Sequence, residues 1–319
     1  MKSIFWLKTF DTASQISSLT CMGPVQEGIS HDLDIAYAYE WLLVDSLILI
    51  GIGLSPLLLA PLSEIYGRKP SLVTASTIFI VWNTACGAAK TLGQILAFRL
   101  LSGFGASVAD ALAGGVMGDL WQAEERGRAF AIFMAAPLLG PAVGPICGAF
   151  ISQGLDWRWV FWIISMASAV AIVLAIFFFH ETFEPRLKQL RSREEEKRTG
   201  GDKRQPGLSS KIRPLLIVFR INMQRPLRML GTQIIIQLLA GYVAILYGTM
   251  FLFLYMYPTM WSKQYGQSVD IGSLNYISFA LGLIAGVDIA GRLSDRLYLR
   301  LNLAMKVLAV PNSASLPWR

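Results

Sequence analysis

Charge is scarce in this 319-residue chain: 15% of residues are charged, against 54% that are hydrophobic. A soluble domain of this length carries about a quarter, so the deficit places most of the chain in a solvent other than water. Histidine is almost missing. His31 and His180 are the two present, too few and too separated for a metal site. Cysteine is sparse and odd in number. Cys21, Cys86 and Cys147 have neither disulfide-framework nor metal-ligand spacing, and two of the three lie in apolar runs, where a thiol behaves as a small hydrophobe. No cofactor is expected. A leader core is lacking too, because Lys8 and Asp11 interrupt residues 1–20, so no cleavable signal peptide is expected.

Long apolar runs are what the chain has instead. A bilayer-crossing helix needs about 20 mostly apolar residues. Seven runs qualify: Trp41–Leu62, Leu72–Ala89, Leu92–Gly118, Ala129–Ile151, Trp159–Phe179, Met229–Leu254 and Ile271–Ala290. An eighth, Ile4–Met22, is poor. It holds Lys8 and Asp11, then Thr12, Ser14, Gln15, Ser17 and Ser18, and reads as a weak or damaged first span. The fold class expected is therefore an all-α, polytopic membrane protein.

Loop charge orients it, because cytoplasmic loops are enriched in Lys and Arg. Alternate connections carry Arg68 and Lys69, then Arg126 and Arg128, then the long segment after His180, then Arg292, Arg296 and Arg300. The intervening loops hold little beyond Lys90, Arg158 and Lys263. Segment 181–228 has 13 Lys/Arg against 6 Asp/Glu, and reads as a solvated cytoplasmic linker, with apposition to an anionic leaflet a further option. The net charge of +7 thus belongs to the membrane topology, and nucleic acid is not an expected partner. Trp157, Trp159 and Trp162, and later Tyr255, Tyr257 and Trp261, cluster where the chain turns at the outer interface.

A repeat accompanies this order. Ala60–Lys69 reads APLSEIYGRK and Gly291–Arg300 reads GRLSDRLYLR. Both follow an apolar span on the cytoplasmic side, at the second and eighth spans, which are equivalent positions in two six-span halves. Duplicated halves are the hallmark of several transporter folds.

These segments resemble the major facilitator superfamily, and within it the fungal drug:proton antiporter type. Pro61–Pro70 resembles the signature loop between spans two and three, and Arg99–Ala106 the fourth-span motif. Gly114–Trp121, with Glu125, Arg126 and Gly127, resembles the end of that span. Gly140, Pro141, Gly144, Pro145 and Gly148 are similar to the fifth-span antiporter motif, and Glu181–Pro185 to the start of the central loop. Ala60 replaces the usual glycine, and Ile65 a common basic residue. The resemblance covers roughly residues 35–302. It implies a six-span N-terminal bundle over 1–179, a basic central loop over 180–228, the first two spans of a C-terminal bundle over 229–302, and an atypical tail over 303–319. The family has twelve or more spans, so this chain is expected to be truncated, and inactive alone or active only with another chain.

The motifs have physical readings. Arg99 lies about two turns inside an apolar span, where a charge costs several kcal/mol and normally faces the bundle interior or a wet cavity. Gly103, Ala106 and Asp110 share its face, Asp110 roughly 16 Å further toward the cytoplasm. One reading is a substrate and proton pathway; for Asp110 a structural partnership is equally weighted, and the resemblance favours Arg99. Gly140, Gly144 and Gly148 form a smooth stripe for close helix approach, and Pro141 and Pro145 bend the helix, which suits a pivot or leak seal between halves. Glu64, Arg68 and Lys69, with Asp295 and Arg296 in the second half, read as cytoplasmic gating pairs or ordinary interfacial anchors. Asp45 and Asp288 are further intramembrane acids. Asp45 lies near the outer interface, where water reaches it, which favours an ordinary interfacial acid.

The resemblance implies proton-coupled export of small amphipathic organic compounds by alternating access, with the bilayer, an organic substrate and a proton as partners. The expected membrane is the plasma membrane, with the vacuolar membrane as the alternative. Two other readings compete. One is a truncated product that does not transport. The other is an intramembrane enzyme, which lacks a histidine base within any span and a second matched aspartate; the chain is therefore not expected to be an enzyme.

Overall fold

The computed structural model describes residues 2–35, 37–107, 140, 141, 143–178, 224, 228–286, 289 and 293. Among these the chain is helical and has no strand. Contacts divide it into a unit spanning Met1–Tyr276 and a second spanning Ile277–Arg319, in which residues 277–286 are helical. In the first unit α1 is Lys2–Thr20, α2 Met22–Asp32, α3 Ala38–Tyr66, α4 Arg68–Gly87 and α5 Leu92–Ala106. A helix over residues 143–154 is α6, followed by α7 (Arg158–Phe178), α8 (Ile234–Lys263) and α9 (Val269–Leu274).

Local chemistry sets several of these ends. Glu40 accepts the Tyr37 backbone N–H at 3.3 Å, placing an acid in the first turn of α3, where the helix dipole favours it. Thr91 caps α5 by accepting from the Gln94 N–H at 3.3 Å. Gly67 is the sole residue between α3 and α4, with φ 102°. That conformation costs glycine little and other residues much more, so the chain reverses without a loop.

Among the described residues three helices are long and apolar enough to cross a membrane: Tyr39–Leu57 within α3, Arg158–Phe177 in α7, and Ile234–Lys263. Their outward faces are apolar, as lipid requires. Val170, Val173 and Phe177 are exposed on α7, and Ile234, Leu238 and Ile245 on α8. α4 has a lower hydropathy because its inner face is polar, and that face has partners. Asn83, fully buried, accepts from the Ser18 hydroxyl of α1 at 2.7 Å. Its amide donates to Ser165 Oγ and to the Phe161 carbonyl of α7, at 2.9 and 3.0 Å. Ser76, two turns earlier, donates to Asp11 Oδ2 at 2.9 Å, and Gln15 donates to the same oxygen at 3.1 Å.

This seam explains α1. Of the residues that break its apolar run, Asp11, Thr12, Gln15 and Ser18 are buried, while Ser14 and Ser17 are half-buried and donate to carbonyls one turn back in α1. The buried residues face neighbouring helices rather than lipid, where unsatisfied polar groups cost several kcal/mol each. Beyond the seam lies an apolar cluster that includes Met22, Val25, Trp41, Val44, Ile95 and Phe161.

Asn83 joins α1, α4 and α7, so Asn83→Ala is expected to destabilise the protein by about 1–3 kcal/mol. Thermal unfolding in detergent reads this; an unchanged midpoint would remove the seam's role in holding α1.

Candidate functional site

Arg99 is the centre of the first unit. It is 0% exposed, so its guanidinium must find every partner within the protein. Nη1 donates to the Ser18 carbonyl of α1 at 3.1 Å, and Nε to the Val44 carbonyl of α3 at 3.3 Å. The Phe161 ring of α7 lies 5.9 Å from its Cζ, within cation–π range. Nη2 faces Asp45 Oδ1 of α3 at 3.7 Å. This is an ion pair too long for a hydrogen bond, and both atoms are buried without a hydrogen-bond partner.

Glycines make this convergence possible. A Cβ on Gly51 would lie 2.5 Å from the Leu100 carbonyl and 2.8 Å from the Gly103 Cα, so α3 and α5 meet backbone to backbone. On another face of α5, a Cβ at Gly105 would lie 2.5 Å from the Ala75 carbonyl of α4. The face that carries Arg99 and Gly103 is thus turned into helix packing, and Arg99, Gly103 and Ala106 are buried. Asp110 lies outside the described residues.

The fifth-span glycines also meet a named partner. Gly140 faces Ile16, Gly144 faces Ser17 and Thr20, and Gly148 faces Cys21, all on or at the end of α1. The Thr20 hydroxyl donates to the Gly140 carbonyl at 3.2 Å. Pro141 and Pro145 are buried. The stripe packs closely on α1.

At the opposite end Arg68 donates from Nη1 to Ser63 Oγ at 3.2 Å, and Lys69 donates to the Ile176 carbonyl of α7 at 2.9 Å. Glu64 belongs to the last turn of α3, but its side chain lies outside the described residues, as do Asp288, Asp295 and Arg296.

Two things were missed in the sequence. One is the Arg99–Asp45 pair. The signal was available: Asp45 is seven residues into α3 and Arg99 seven into α5, each counted from its helix N-terminus, so they share a depth of about 10 Å. The other is a clamp at the end of α2. Arg158 donates from Nη1 to Asp32 and to Asp156, each at 2.8 Å, and the Trp157 indole donates to Asp32 at 3.0 Å. The Trp157 N–H, and after it the Arg158 guanidinium, hold the Asp32 carboxyl below the ordinary carboxylate range. Among the described residues no group of three His, Cys, Asp or Glu is arranged to hold a metal.

Comparison with known proteins decides what this arrangement belongs to. The family model of the Major Facilitator Superfamily matches residues 12–311. The chain belongs to that superfamily. Its relatives include the probable efflux pump mfs2 of Aspergillus flavus, 36% identical over 283 residues, covering 88% of this chain and 66% of that protein. The efflux pump vrtL of Penicillium aethiopicum is 35% identical, covering 93% and 58%. An uncharacterized Schizosaccharomyces pombe transporter is 35% identical, covering 87% and 56%. The chain therefore spans 56–66% of the length of these three relatives. Solved structures share the fold. A D-xylose–proton symporter superposes with a TM-score of 0.67 at 16% identity, covering 92% of this chain and 69% of that one. A bacterial homologue of the lysosomal transporter Spinster gives 0.69 at 15%, covering 94% and 63%. As a Major Facilitator Superfamily member the protein is an integral membrane protein, with an all-α fold.

Two outcomes follow. Gly144→Leu is expected to force α1 and α6 apart, because even a Cβ would lie 2.8 Å from the Ser17 carbonyl. A drop in the thermal midpoint checks it, and an unchanged one would contradict the contact. For Asp32, the folded carboxyl is depressed, so its stabilising contribution is present above the ordinary value of 3.8 and is lost as pH falls through the lower folded value. Acid titration of stability should show that loss, and Asp32→Asn should flatten it.

Proposed function

We propose that this protein exports small amphipathic organic compounds by proton-coupled alternating access, as part of a two-bundle transporter. In this reading residues 1–179 form the N-terminal bundle, 180–228 the cytoplasmic loop, 229–302 the opening spans of the C-terminal bundle and 303–319 its tail. The observation that carries the reading is Arg99: fully buried, bonded to two backbone carbonyls and set against Asp45 across 3.7 Å. An intramembrane charge is expensive and marks a pathway for substrate or ions. The efflux pumps among the relatives support outward transport. Arg99 and Asp110 serve the substrate and proton pathway. Gly140, Pro141, Gly144, Pro145 and Gly148 let α6 move tightly along α1. Glu64, Arg68 and Lys69, with Asp295 and Arg296, bias the cytoplasmic gate. The reading contains no enzymatic step, and its membrane is the plasma membrane.

Membrane vesicles carrying the protein test it. An imposed proton gradient should drive movement of an amphipathic dye, and Arg99→Ala should lower the gradient-dependent rate at least about tenfold, the scale of losing a charge-assisted contact. Gradient-independent movement, or an unaffected Arg99→Ala rate, would refute proton coupling through this residue.

A further inference from the structure

We propose that Asp45 carries the ligand contact of this site, and that the ligand is an uncharged organic molecule that donates a hydrogen bond, such as a phenol or alcohol on an apolar body. The proposal rests on the transport reading above and names its substrate class.

The Asp45 carboxyl faces Arg99. Oδ1 is buried and turned to Arg99 Nη2 at 3.7 Å, and neither atom has a hydrogen-bond partner. Arg99 is closed off at 0% side-chain exposure, whereas Asp45 keeps 27%. A molecule arriving here therefore meets the Asp45 side chain and not the guanidinium. One turn earlier on α3, Trp41 is 2% exposed and its indole N–H has no partner. Tyr255 of α8 packs against the cluster that contains Trp41 and Val44.

Charge decides the ligand class. Arg99 and Asp45 form an ion pair of opposite charges, which sum to zero. An organic cation on Asp45 would leave a net positive charge next to a buried guanidinium. An anion would meet a carboxylate. Both leave an uncompensated charge in a low-dielectric site, which is expensive. A neutral O–H or N–H donor disturbs neither. It gives the carboxyl a charge-assisted hydrogen bond, while its apolar body packs on apolar and aromatic side chains of the kind that small-molecule sites use.

The test is binding to the full chain in lipid nanodiscs, with radiolabelled 1-naphthol as probe. Saturable binding is expected. 1-Methoxynaphthalene, which lacks the donor, should compete at least about tenfold less well, as for one lost hydrogen bond to a charged group. Tetraphenylphosphonium and 1-naphthalenesulfonate should compete no better than the ether. In Asp45→Asn the site turns net positive: naphthol should weaken and naphthalenesulfonate should gain, and the Arg99→Gln, Asp45→Asn double variant should lose that gain. A purely structural role would lower all ligands together. Should Asp45→Asn not fold, as judged by its circular dichroism, Asp45→Glu keeps the charge and should keep the preference for the neutral ligand. Absence of saturable naphthol binding to folded protein would overturn the proposal. So would equal competition by the ether or preference for the cation. Gradient-driven dye movement without naphthol binding sinks this proposal and spares the transport reading, and the converse result does the opposite.

Discussion

Burying one guanidinium organises this protein. An Arg within a bilayer-spanning bundle must exchange all of its water for protein groups, and Arg99 draws those groups from three helices. The Ser18 carbonyl comes from α1, the Val44 carbonyl and the Asp45 carboxylate from α3, and the Phe161 ring from α7. Moving any of them would strand a charge. The contact constrains the helices around it in a way that apolar packing, which has no direction, does not.

Carbonyls can serve a side chain in this way only when helix axes are close, and the glycines supply that closeness. Gly51 and Gly103 bring α3 to α5, Gly105 brings α4, and Gly140, Gly144 and Gly148 bring α6 to α1. Lipid gives helices no hydrophobic reason to associate, so close van der Waals contact and interhelical hydrogen bonds must do it. Here the same positions supply both. The Thr20 bond to the Gly140 carbonyl exists because no side chain stands between the two backbones.

Much of this could be read from the sequence, for reasons that are physical. Apolar runs found α3, α4 and α7, because length and hydropathy are what a bilayer selects. The glycine spacing of 140, 144 and 148 declared a packing stripe, though not that α1 was its partner. α1 itself looked damaged, because hydropathy counts polar residues without knowing where they face; Asp11, Gln15 and Ser18 are buried on the seam with α4. Asp32 and Arg158 stand 126 positions apart, and no local pattern links them. Asp45 looked like an interfacial acid because proximity to water was weighed and depth relative to Arg99 was not. Asp110, Asp295 and Arg296 fall outside the described residues.

The single-residue joint at Gly67 sets α3 and α4 end to end with no spare chain. The rotational phase of α4 about its own axis is therefore inherited directly from α3. One inserted residue would turn α4 by about 100°, carrying Ser76 and Asn83 off α1 and α7 and toward lipid. At this point the chain has no tolerance for length variation, whatever residue is added, and relatives that keep the seam must keep the count between Gly67 and Asn83.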